Sequence, residues 1–206
     1  LDISATPESR GNAVETVRAV RRVLSIPLTV GGGVRSADDA RALLEAGADK
    51  VGVNSAAVFR PDLIDELARQ FGDQCIVLAI DARRCFRRAL PPALEVLVHG
   101  GRKRSGLDVL DWVVEAFTRG AGEVLLTSWD RDGTRSGYDL ELVRDVVRNV
   151  RVPVIASGGA SCAADLQAAA EAGASAVLLA SVLHDGDATV ASLKRELTAN
   201  GTEVRL

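Results

Sequence analysis

Residues 27–34 read Pro27-Leu28-Thr29-Val30-Gly31-Gly32-Gly33-Val34, and residues 153–160 read Pro153-Val154-Ile155-Ala156-Ser157-Gly158-Gly159-Ala160. Laid on each other at an offset of 126, the windows 27–58 and 153–184 share 12 of 32 residues without a gap. The matches include Gly32/Gly158, Gly33/Gly159, Asp39/Asp165, the Glu-Ala-Gly-Ala runs at 45–48 and 171–174, and Ser55/Ser181. Each copy is a short apolar run, a glycine turn, a segment of helical spacing, and a second apolar run ending in a small polar residue. One structural unit is written twice.

Working outward from these copies, the same alternation fills the chain. Apolar residues at 13, 14, 17, 20, 23 and 24 form a helical stripe. Strands are expected at 27–30, 50–53, 75–80, 123–127, 152–156 and 176–180, with helices from Ser36 to Gly47 and at 62–71, 107–118, 140–149, 163–172 and 189–199. Ser36 suits an N-cap, Asp38 and Asp39 sit at the positive end of the dipole, and Gly47 closes the helix. The stretch 75–80 is continuously apolar, as a strand covered on both faces must be. An arginine-rich insertion at 83–104 contains one further strand, 94–98, read as part of a hairpin.

Alternating strands and helices imply parallel pairing through right-handed crossovers. Of the two architectures this leaves, an open doubly wound sheet and a (βα)8 barrel, the repeat favours the α/β barrel of two similar halves, with both glycine turns on one rim. The expectation is a single barrel domain over residues 1–206. Leu1-Asp2-Ile3 reads as the tail of a strand, and the sequence has no methionine. The copy is therefore expected to be N-terminally incomplete, lacking the first strand, its helix and most of the second strand.

Composition excludes several classes of function. A net charge of −3 without a basic face argues against nucleic acid, and no apolar run is long enough to span a bilayer as a helix. Cys75, Cys85 and Cys162 lie far apart, with no metal-ligand spacing among the cysteines and the two histidines. This reads as a reduced, cytoplasmic protein without metal or cofactor.

At the strand ends, where active sites of such barrels lie, the sequence places Asp2, Gly31–Gly33, Asn54, Ser55, Asp81, Thr127, Ser128, Asp130, Asp132, Ser157–Gly159, Ala180 and Ser181. Glycine pairs let a backbone approach an anion closely and aim N–H groups at it. Gly32-Gly33 and Gly158-Gly159, each followed by a strand ending in serine, suit two phosphates. Asp81 ends an apolar strand, where partial desolvation suits general acid or base chemistry. Asp132 can orient substrate hydroxyls. Asp130 and Gly133 read as turn formers, and Asp139 as the N-cap of the next helix.

These residues carry a resemblance. Leu1-Asp2-Ile3, Val30-Gly31-Gly32-Gly33-Val34, Val53-Asn54-Ser55-Ala56-Ala57-Val58, Ala79-Ile80-Asp81-Ala82, the stretch 125–139 and Ala156-Ser157-Gly158-Gly159-Ala160 are similar to the cyclase subunits of imidazole glycerol phosphate synthase, of histidine biosynthesis. The loop Asp130-Arg131-Asp132-Gly133-Thr134-Arg135-Ser136-Gly137-Tyr138-Asp139 is the most specific part. The resemblance implies a (βα)8 barrel that converts the bisphosphate PRFAR and ammonia to imidazole glycerol phosphate and AICAR.

By that resemblance, Gly33, Asn54 and Ser55 hold one phosphate, and Gly158, Gly159, Ala180 and Ser181 the other. Asp81 is a catalytic aspartate, while Asp2 and Asp132 are further active-site carboxylates. Ammonia would come from a glutaminase partner on the opposite rim, with Lys50 and Glu123 in a charged entrance and Asp49 at the docking surface. The family's other catalytic aspartate matches no position here, so the resemblance implies reduced or no activity for this copy. The competing readings are the sister phosphoribosyl isomerase, with the same barrel and phosphate sites, and a non-catalytic phosphate-binding chain. Asn54-Ser55 and Tyr138-Asp139 favour the cyclase.

Overall fold

The computed structural model describes residues 14–85 and 93–205. Six strands form a parallel path: β1 (Thr29–Gly31), β2 (Lys50–Val53), β3 (Ile76–Cys85), β6 (Glu123–Ser128), β7 (Val154–Ser157) and β8 (Ala176–Val177), each paired with the next named. Two antiparallel strands, β4 (Ala93–Val98) and β5 (Lys103–Asp108), branch from the distal half of β3. Helices alternate with the parallel strands: α1 (Val14–Arg21) before β1, α2 (Ala37–Glu45), α3 (Ser55–Phe59), α4 (Asp62–Phe71), α5 (Val109–Thr118), α6 (Leu140–Asn149) and α7 (Ala163–Glu171) between strands, and α8 (Ser181–His184) and α9 (Val190–Ala199) after β8. This parallel, helix-wrapped sheet is the fold of a (βα)8-type barrel.

The pleat sorts the strand residues onto two faces. Val51, Val53, Ile76, Leu78, Ile80, Val124, Leu126, Val154 and Ala156 are at most 1% exposed. They face the helices, which return Leu63, Ile64 and Leu67 from α4, Trp112 and Val113 from α5, and Leu142 and Val146 from α6. Full burial of one such side chain contributes roughly 1.5–3 kcal/mol. The register places Lys50, Gly52 and Asn54 of the β2 segment, Val77, Ala79 and Asp81 of β3, Glu123, Leu125 and Thr127 of β6, and Ile155 and Ser157 of β7 on the opposite, inward face.

The repeat survives in three dimensions. Helices α2 and α7 have the same bounds at an offset of 126, and their C-caps Ala46 (φ −74, ψ −11) and Ala172 (φ −73, ψ −8) share one conformation. Ser36 caps α2 as expected, accepting from Asp39 N at 3.2 Å.

Three local expectations need correction. The apolar run after Gln74 does not stop at Ile80: β3 continues to Cys85, because residues 81–85 find a new partner in β4 beyond the end of β2. Residues 107–108 belong to a strand rather than to the following helix. Gly106 adopts φ 83, which no helix accommodates, its N–H donates to Glu95 Oε1 at 3.0 Å, and Asp108 becomes the N-cap of α5. The strand expected at 176–180 pairs only over Ala176–Val177. Short helices α3 and α8, absent from the sequence reading, directly follow Asn54 and Ala180.

Candidate functional site

Parallel pairing of β1 through β8 puts every carboxyl-terminal strand end on one rim. Both glycine turns therefore stand there, Gly32-Gly33 after β1 and Gly158-Gly159 after β7, and all four glycines have positive φ. At the neighbouring strand ends the chain turns into α3 and α8 through the same unusual backbone: Asn54 has φ −134, ψ −97 and Ala180 has φ −131, ψ −77. Each half thus combines a glycine turn with the N-terminus of a short helix. Backbone N–H groups at such a terminus favour anions.

The second of these sites is walled by the loop after β6. Asp132, Gly133 and Arg135 line a small cleft together with Ser157, Gly158, Gly159, Ala180 and Ser181. Arg135 also pairs with Asp185 and Asp187 beyond α8. A Cβ on Gly158 would stand 2.8 Å from the Ser128 carbonyl oxygen, and one on Gly159 2.3 Å from that of Gly137. Only glycine allows this approach. Gly137 N donates to Gly159 O at 2.8 Å, and the buried Tyr138 hydroxyl donates to Leu178 O at 3.0 Å, fixing the loop to β7 and to the segment after β8.

The first site is bounded by the β4–β5 turn instead. Ser55 Oγ accepts from His99 N at 2.8 Å, leaving its own proton available to a ligand. The Phe59 and His99 rings lie 5.6 Å apart. Gly101 in the same turn lies under the Trp129 ring, which would be 1.8 Å from a Cβ there. The turn therefore touches both α3 and the loop after β6. Nothing in the composition of 83–104 signalled this. The only cue was the pair Gly100-Gly101 at the tip of a hairpin.

Between the two sites lies Asp81, on the inward face beside Thr127 and, one strand further, Ser157. Asn54 Nδ2 donates to Asp81 Oδ2 at 3.0 Å. Burial pushes the Asp81 carboxyl above the usual range, the Asn54 bond opposes that shift, and the charge of Asp132 adds to it. A carboxyl so placed can exchange a proton nearer neutrality than a solvated one. The structure thus brings together Asp81, Asn54, Thr127, Ser157 and Asp132. Asp2 lies outside the described residues.

At the other end of the inward face, Lys50 Nζ and Glu123 Oε2 form an ion pair across β3. Asp49 beside it accepts from Leu28 N at 2.7 Å and from Arg21 at 3.0 Å, so it also ties β1 to the helix before it. Between the two polar ends lie Gly52, Val77, Ala79, Leu125 and Ile155. A larger hollow of about 760 Å³ lies behind the β6 loop, lined by Arg84, Asp130, Tyr138, Asp139 and Asp165 among others. It contains neither Asp81 nor the glycine turns.

Two positive-φ glycine turns stand on one rim of a (βα)-type barrel, with the buried Asp81 carboxyl between them. Comparison with known proteins narrows the class. The model of the family described as "Histidine biosynthesis protein" matches residues 1–189, and the chain belongs to that family. It is 50% identical over 206 residues to the imidazole glycerol phosphate synthase subunit HisF of Thermobifida fusca, and 50% to that of Beutenbergia cavernae. To that of Corynebacterium diphtheriae it is 48% identical over 207 residues. Each alignment covers 100% of this chain and 80% of the relative. Among the described residues no helix is long and apolar enough to cross a membrane.

Proposed function

We propose that this chain is the cyclase subunit of imidazole glycerol phosphate synthase, a lyase acting in histidine biosynthesis. It binds the bisphosphate PRFAR across the rim. Gly32, Gly33, Ser55 and the Asn54 backbone take one phosphate, and Ser157, Gly158, Gly159, Ala180 and Ser181 the other. Thr127, Asp132 and Asp2 meet the sugar hydroxyls, and Asp81 transfers protons as ammonia adds and the substrate splits into imidazole glycerol phosphate and AICAR. The observation that carries this reading is the repeated pairing of a positive-φ glycine turn with a short helix N-terminus on either side of Asp81.

Ammonia enters at the opposite end, past Lys50 and Glu123, from a glutaminase partner docked beside Asp49, in a cytoplasmic complex. The pair of opposite charges at the start of an otherwise small and apolar inward face supports this direction of entry.

Calorimetric titration of the chain with PRFAR and with analogues lacking either phosphate tests the proposal. Each phosphate held by charge-assisted hydrogen bonds is worth about 1.5–3 kcal/mol, so each deletion should weaken binding roughly 10- to 150-fold. Equal affinity for the bisphosphate and a monophosphate would reject the two-site reading. AICAR release that depends on added ammonium salt separates the cyclase from the isomerase, which needs no nitrogen source.

A further inference from the structure

The two phosphate sites share their backbone, yet they differ at one position that matters. Asn54 and Ala180 correspond at the offset of 126 and have nearly the same φ and ψ. Ala180 has no polar side chain, so a phosphate at this corner is served by backbone alone. The Asn54 amide is therefore surplus to anion binding, and the structure shows it turned elsewhere. We infer that Asn54 is a positioning residue whose amide N–H fixes the Asp81 carboxylate, while its Oδ1 receives the ammonia that emerges from the barrel interior. This rests on the proposed function only for the identity of the incoming nitrogen.

Three observations support it. First, the 3.0 Å bond from Nδ2 to Asp81 Oδ2 orients the amide. With Asp81 ionised the amide cannot be flipped, because Oδ1 would then face a carboxylate oxygen. Second, Oδ1 is buried and has no hydrogen-bond partner among the described residues. An unpaired buried acceptor is costly, and a ligand donor would relieve that cost. An acceptor repels phosphate but suits an N–H.

Third, Lys50 and Gly52 of β2 and Asn54 just after it follow one another on the side of Asp81. Gly52 has no side chain, and even a Cβ there would make only ordinary contact, 3.4 Å, with the Cα of Gly31. A small neutral molecule passing Lys50 and Glu123 thus meets Asn54 as the first polar side chain on that strand. Ammonia giving an N–H to Oδ1 keeps its lone pair free to attack, beside Asp81. Among the described residues, the charged group that acts on Asp81 is Asp132 from the β6 loop; Lys50 and Glu123 pair with each other at the far end of the inward face.

The test uses the full chain with ¹³C-labelled aspartate. In Asn54→Ala, the titration midpoint of Asp81 should move up, because an opposing hydrogen bond has gone. The KM for ammonia, supplied as ammonium chloride, should rise about tenfold or more, and by a larger factor than the KM for PRFAR. In the unmutated chain, the Asn54 side-chain amide signals should titrate together with Asp81, an observation that needs no variant. An unmoved Asp81 midpoint, or a tenfold loss of PRFAR affinity with an unchanged KM for ammonia, would overturn the inference. If the unmutated chain bound no bisphosphate, the proposed function would fail, while the link between Asn54 and Asp81 would still be read from the titration.

Discussion

Replacing Gly159 by alanine should uncouple the β6 loop from the rim. A Cβ at this position would stand 2.3 Å from the Gly137 carbonyl oxygen and about as close as contact allows, 3.0 Å, to Arg131 Cβ, on a backbone with φ 102. Sparsely populated backbone of this kind costs on the order of 1–3 kcal/mol for a residue other than glycine. Relief of the clash would sacrifice the Gly137 N–H to Gly159 O bond, worth about 0.5–1.5 kcal/mol. The sum is about 3 kcal/mol, or roughly 6–12 °C in Tm for a chain of this size. Gly133→Ala is the matched control, since Gly133 also has positive φ (72) but nothing within 4 Å of its would-be Cβ. It should cost about 1 kcal/mol from the left-handed backbone alone. Urea unfolding of both variants, with PRFAR titration at 25 °C, measures the difference. Equal destabilisation of the two, or unaltered ligand affinity in Gly159→Ala, would refute the claim that close backbone approach at Gly159 builds the second site.

Three further outcomes follow from individual side chains. Asp81→Asn should abolish AICAR release yet stabilise the fold at pH 7. The folded-state pKa is raised, so the ionised carboxylate is a cost above that pKa, and the gain over the parent in urea melts should shrink as pH falls through it. Glu95 behaves oppositely: Arg104 chiefly holds its carboxyl at about 2. It contributes stability above its usual pKa that is lost as pH falls from about 4.5 towards 2, and Glu95→Gln should flatten that part of the stability profile. Tyr138→Phe leaves the half-buried Leu178 carbonyl without its donor and should cost about 1–2 kcal/mol by urea unfolding.

The elements that sequence reading located well are those in which one local signal acts alone. Helices 62–71 and 140–149 have the bounds that periodicity and capping indicate, because an apolar stripe and a start signal coincide. The strand Lys50–Val53 is bounded by a glycine-closed helix before it and by Asn54 after it. The elements misjudged are those decided by partners distant in sequence. Asp81, Arg83 and Arg84 would end a strand on local grounds; the strand continues because β4, within the insertion, bonds residues 81–85. Residues 103–108 look like a polar lead-in to a helix until Glu95 and Arg104 pair across the hairpin. In the site, composition and spacing located Asp81 and the glycine turns. They gave no sign of the Asn54–Asp81 bond, which depends on a side-chain direction set by the pleat of two neighbouring strands.

The repeat divides the features around Asp81 into shared and unshared ones. Features common to both halves, the positive-φ glycines, the helices bounded alike and the serine that opens each short helix, all belong to places suited to an anion. Features in one half only are of another kind. Lys50 corresponds to Ala176, and only Lys50 makes the ion pair at the start of the inward face. Asn54 corresponds to Ala180, and only Asn54 reaches a carboxylate. On the proposed function, a substrate with a phosphate at each end would need a symmetric grip, whereas a nitrogen arriving from one side and a proton moving at one atom would break that symmetry. Lys50 opens β2 and Asn54 directly follows its end, where its amide meets Asp81, so both departures flank the same short strand.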